Sequence, residues 1–160
     1  MQAIDEIRIA LKENATEAHK ASALKFVPDA KKIAGVKMPV LNDLAKQYKD
    51  ADVKLIQELW KDGVYEERIL AAKLIGKIAK KNPVEALALV KKFSADIDNW
   101  ALCDTLGMQS LKPIVISHAA EIFALSEKFV SSKNMWQRRL ALVLVEWHCR
   151  EKKFHTTIKS

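Results

Sequence analysis

YEERILAAKLIGKIAKKNPVEALALVKKF, from Tyr65 to Phe93, is the stretch that decides the fold. From Glu66 to Lys80 its apolar residues recur at spacings of three and four, the period of a helix burying one face. Asn82-Pro83 closes that helix, because proline lacks the amide a helix interior needs and disfavours helix in the residue before it. Pro83 then opens a second helix, with Ala86, Leu87, Leu89, Val90 and Phe93 as its apolar stripe. Two amphipathic helices joined by a tight turn cannot cover their own faces, so more such pairs must pack against them.

The rest of the chain supplies them. Ile4, Ile7 and Leu11 mark a helix near the N-terminus. Leu41, Leu44, Ala45 and Tyr48 mark another, with Pro39 in its first turn. Asp52 is placed to cap a helix carrying Val53, Ile56, Leu59 and Trp60, and Gly63 follows as a stop. Further helices are predicted over 97–108, 113–129 and 134–150. No segment sustains the alternation of a strand. Tyr65, Trp100 and Trp136 stand 35 and 36 residues apart, each at or near the start of a helix. Arg68 and Arg139 each follow their aromatic by three residues. A period of this size is a two-helix unit stacked on copies of itself. The tryptophan, leucine-glycine and tyrosine signature of tetratricopeptide repeats is absent. The expected fold is all-α, a HEAT-like/ARM-like helical-repeat superhelix, with residues 1–160 as a single domain.

Composition narrows the function. The 160 residues are 49% hydrophobic and 29% charged, the balance of a folded protein and not of a disordered one. Lys and Arg number 27 against 20 Asp and Glu, a net charge of +7. Most of that excess falls in residues 111–160: Lys112, Lys128, Lys133, Arg138, Arg139, Arg150, Lys152, Lys153 and Lys159 face only four acids. Nucleic acid is the first candidate partner, because its phosphates exchange condensed counterions for Lys and Arg, although a solvated lysine surface has the same composition. Cys103 and Cys149 are too few for a disulfide framework, so a reducing cytoplasm is expected. MQAIDEIRIALKE carries acids within its apolar stretch and does not read as a signal peptide. The longest apolar run, Leu140 to Val145, is far short of the roughly 20 residues a membrane span needs. His19, His118, His148 and His155 have no partners at metal-ligand spacing, and no glycine-rich phosphate loop or nucleophile motif is present; no metal or cofactor is expected.

Two constellations carry the chemistry. In DNWALCDTL (Asp98 to Leu106), Trp100 and Asp104 are four apart and share one helix face. Asp104 sits mid-helix between apolar residues, where a carboxylate must be paired or kept for a purpose. Arg68 and Arg139 are the candidate partners, and on the residues alone an inter-repeat salt bridge is the commoner outcome. In NMWQRRLALV (Asn134 to Val143), repeat phase places Arg139 near the level of Asp104. An aromatic, a carboxylate and a guanidinium would then converge on one concave surface, the guanidinium being suited to phosphate. A packed, paired arginine beside a core Trp136 fits the same residues.

GVKMPVLNDLAK (Gly35 to Lys46), ELWKDGVYEERILAAKLI (Glu58 to Ile75), DNWALCDTL and NMWQRRLALV together resemble AlkD-type DNA alkylation-repair proteins, in order and spacing, over roughly residues 35–150. The resemblance implies a HEAT-like superhelix with a basic concave face for double-stranded alkylated DNA. It implies a monomeric glycosylase, cytoplasmic and nucleoid-associated, that removes positively charged N3- and N7-alkylated purines without flipping the base. By position it puts the catalytic aspartate at Asp104, the sugar-contacting tryptophan at Trp100 and the backbone-contacting arginine at Arg139. Phe26 takes the place of an early aromatic and Lys37 that of a polar groove residue, where a well-studied type of member has glutamine. Against the family, the chain is expected to be shortened after Ser160 and to lack the counterpart of a second groove tryptophan. Two other functions stay open: a non-catalytic DNA-binding scaffold, in which Arg139 matters and Asp104 does not, and a protein-interaction scaffold with incidental positive charge.

Overall fold

The computed structural model describes residues 1–151. Among them are nine α-helices and no strand: α1 (Ala3–Asn14), α2 (Glu17–Phe26), α3 (Met38–Gln47), α4 (Val53–Lys61), α5 (Tyr65–Ile78), α6 (Pro83–Phe93), α7 (Trp100–Met108), α8 (Ala119–Val130) and α9 (Met135–Arg150). Short 3₁₀ turns at Ser94–Asp96 and Lys112–Ile114 precede α7 and α8.

Side-chain caps set the starts of α2, α4, α7 and α9. The Asp52 carboxylate accepts from the Leu55 amide at 2.8 Å, Asn99 from Leu102 at 2.9 Å, and Asn134 from Trp136 at 2.9 Å. Pro39 and Pro83 sit in the first turns of α3 and α6, where the missing amide costs nothing. Two predicted boundaries move. The helix expected from Ile97 begins at Trp100, because the Asn99 cap fixes the start. The one expected over 113–129 breaks: Pro113 lies in the 3₁₀ turn, and α8 starts only at Ala119. One helix, α2, falls where none was expected. None of its residues is buried, so it leaves no apolar stripe to read.

The helices stack in rows. α5 packs on α3 and on α7, and α7 on α9, so the odd helices from α3 onward form one row. α4 and α6 pack on α5, while α8 packs on α9 and α6. This is the all-α arrangement of a helical-repeat superhelix. α5 is central: its buried residues run round the whole helix, from Ile69, Leu70 and Leu74 to the aliphatic part of Lys73. Beside it Trp60 stacks on Phe93 at 4.1 Å, and the Arg68 guanidinium lies 4.8 Å above the Trp60 ring.

Candidate active site

α7 and α9 come unusually close, and the reason is Gly107. A Cβ built there would lie 2.5 Å from Val143 Cγ1 and 2.9 Å from Val143 Cβ, so only glycine lets the two helices meet. One turn earlier on each helix stand Asp104 and Arg139. The pair is bidentate, with Nε donating to Oδ1 and Nη2 to Oδ2, both at 2.9 Å. Asp104 thus takes Arg139 and not Arg68. Arg68 is occupied elsewhere, donating to the carbonyls of Trp60 and Asp96 at 3.0 Å. The Asp104 hydrogen bond and charge raise the Arg139 pKa further above its ordinary range. Burial, then the neighbouring Asp104 charge, pushes the Cys103 thiol up to about 12. Cys103 is buried in the core.

Trp100 opens α7 and is 40% exposed, with its indole N–H donated to the Phe26 carbonyl at 2.7 Å. Phe26 ends α2 and is 71% exposed. Phe26, Trp100 and Asp104 all line an open groove of about 570 Å³. Arg139 joins them through Asp104. Lys37 is exposed and caps the start of α3 by backbone alone; it is not in the groove wall, although Val36 and Met38 on either side of it are.

Glu66, Tyr65 and Trp147 had not been expected in the groove wall. Glu66 is buried, and its carboxylate accepts from the amides of Ala34 and Gly35 at 2.9 Å and Val36 at 3.4 Å. It pins the segment after α2 against α5. Gly35 makes the turn possible, with φ +95° and the Thr16 carbonyl 2.5 Å from where a Cβ would be. The Tyr65 amide adds a bond to the Lys32 carbonyl at 2.8 Å. Tyr65 itself, its phenol pushed up to about 12 by burial and the Glu66 charge, also lines the groove. Trp147 lines the far end with Arg150, whose Nε donates to Glu146 at 2.9 Å. The spacing of Trp147 and Arg150 on one face of α9 was the available signal.

Among the described residues no group of His, Cys, Asp and Glu could hold a metal ion, and no helix is long and apolar enough to cross a membrane. Lys152, Lys153, His155 and Lys159 lie outside the described residues.

A sequence family described as DNA alkylation repair enzyme matches residues 7–160, nearly the whole chain. The chain belongs to that family. A search of curated proteins returns no match. That family's description names DNA alkylation repair.

Proposed function

We propose that this member of the DNA alkylation repair family is a DNA glycosylase that excises N3- and N7-alkylated purines from duplex DNA by hydrolysing the N-glycosidic bond. The observation that carries the reading is the Asp104 carboxylate on the groove wall, held by Arg139 and beside an exposed tryptophan. An alkylated purine is cationic and leaves as a neutral base, so the reaction needs little acid help. As the C1′–N bond lengthens, positive charge grows on the deoxyribose. A carboxylate at Asp104 stabilises that charge and orients the water that attacks C1′, the base taking the bond electrons and the water losing a proton to solvent.

Bidentate pairing does not close Asp104. A carboxylate has about four lone-pair sites, and Arg139 uses two. Arg139 in turn has five N–H donors, so its free edge is available to a backbone phosphate while the other holds the carboxylate. Trp100, fixed by its bond to the Phe26 carbonyl, presents its ring to the sugar edge. Phe26 and Lys37 would flank the strand. With the base left in the stack, the enzyme avoids the unstacking cost that base-flipping enzymes meet. In this reading residues 1–160 act as one HEAT-like domain and as a monomer, at the nucleoid in the cytoplasm, without cofactor or metal.

The same pair favours one other reading: a DNA-binding scaffold in which Asp104 only anchors α7 to α9. Release of N7-methylguanine and N3-methyladenine from methylated duplex DNA, measured beside salt-dependent binding, separates the two. Release lost in Asp104→Asn with binding retained supports the glycosylase. Binding that weakens steeply with salt, without release from wild type, supports the scaffold.

A further inference from the structure

A second hollow, of about 310 Å³, lies where α6, α8 and α9 meet, lined by Lys91, Lys128, Phe129, Ser131, Ser132 and Gln137. Gln137 and Arg139 are two residues apart on α9, roughly 200° round the helix, so the hollow and the Asp104 pair lie on opposite sides of it. Its wall is built from fixed groups. The Gln137 amide donates to Ser94 Oγ at 3.0 Å, and its oxygen accepts the Ser132 hydroxyl at 2.6 Å. Ser94 donates in turn to the Lys91 carbonyl at 2.6 Å, and Ser132 Oγ accepts the Asn134 amide at 3.1 Å. Phe129, buried, lies beneath.

Over this wall stand two exposed lysines. Lys91 is in the last turn of α6 and Lys128 in the last turn of α8, and both side chains line the hollow. Lys91, within hydrogen-bonding reach, lowers the Lys128 pKa by that contact and by its charge. Among the described residues neither lysine has a carboxylate partner, and no carboxylate lines the hollow. Two facing ammonium groups repel until an anion lies between them. A phosphate has oxygens enough to accept from both and from the exposed Ser131 hydroxyl. The space is ample beside the roughly 30 Å³ that one water occupies in the liquid.

We propose that Lys91, Lys128 and Ser131 form a phosphate-binding site separate from the Asp104 groove. The shared chemistry is a phosphate oxyanion, from a DNA backbone or from free phosphate. Inorganic phosphate titrated at constant ionic strength into the whole chain, followed by amide NMR, should give saturable shifts at Ser131, Ser132 and the Gln137 side chain. Lys91→Ala/Lys128→Ala should abolish them, and the control Lys49→Ala/Lys54→Ala should not. If the ligand is backbone, the salt dependence of duplex binding should also lose about 1.8 from its log–log slope in the first double variant relative to the control. An unchanged slope, with saturable phosphate shifts in the wild type that the double variant loses, would assign the site to free phosphate. Absent shifts, or shifts that persist in Lys91→Ala/Lys128→Ala, overturn the site. Neither arm depends on base excision, so this result stands apart from the fate of the glycosylase reading.

Discussion

Replacing Gly107 by alanine is the sharpest test of how the site is held together. In most helices the change would help, because alanine is favoured over glycine by about 1 kcal/mol in a helix interior. Here the new methyl would lie 2.5 Å from Val143 Cγ1, 2.9 Å from Val143 Cβ and 3.2 Å from Leu140 Cδ1. Rotation of Val143 relieves only the first contact; the second needs the backbones to part. Overpacking of this kind costs about 1–3 kcal/mol. Net of propensity, the variant should lose up to about 2 kcal/mol, which for a chain of this size lowers Tm by up to about 8 °C. The same displacement moves Arg139 off Asp104. Urea denaturation of wild type, Gly107→Ala, Val143→Ala and the double variant forms a cycle that isolates the contact. In the Val143→Ala background the glycine substitution should become neutral or stabilising, a coupling of more than about 1 kcal/mol. A Gly107→Ala protein more stable than wild type, or a cycle with no coupling, would refute the close approach as the determinant of the Asp104–Arg139 geometry.

Glu66→Ala should cost about 3 kcal/mol, since it strands the buried amides of Gly35 and Val36, and Glu66→Gln should cost less; urea denaturation checks both, and a loss under 0.5 kcal/mol would show that the carboxylate does not pin the segment. His148 is buried, and burial holds its pKa below its ordinary value. The unfolded chain therefore takes up the proton first as pH falls through 6.5, and stability should drop as the pH is lowered below about 7. Glu67, raised by burial against its Arg8 partner, gains stability on acidification instead, so the effect is read as the difference between wild type and His148→Phe. Thermal melts with the same pH slope in both proteins would contradict the assignment.

Much of the fold could be read before any coordinate. The helices α3 to α9 carry apolar stripes, and Asp52, Pro39 and Pro83 mark starts with local chemistry that needs no tertiary context. α2 could not be read, because it buries none of its residues and periodicity reports only burial. The break before α8 was hidden because Ile114, Val115, Ile122 and Leu125 continue a plausible stripe across it. The 35-residue and 36-residue offsets of the aromatics put Asp104 and Arg139 at one level, which is where they meet. What the offsets could not decide was whether Arg68 or Arg139 would be the partner; that turned on Gly107. Glu66 escaped notice for a different reason. An acid in a first turn reads as an ordinary complement to the helix dipole. Its function as an acceptor for three amides depends on a segment some thirty residues earlier in the chain.

The central claim is that Asp104 carries the reaction, and one rate tests it. A duplex oligonucleotide with a single N7-methylguanine, in single turnover with enzyme in excess, gives base release free of binding and product effects. Losing a preorganised electrostatic stabiliser costs about 10²–10³ in rate, so Asp104→Asn should fall by that factor while duplex affinity stays near wild type. Excision by Asp104→Asn at the wild-type rate would contradict the account, leaving Asp104 as the anchor of α7 on α9 and the chemistry to be sought elsewhere.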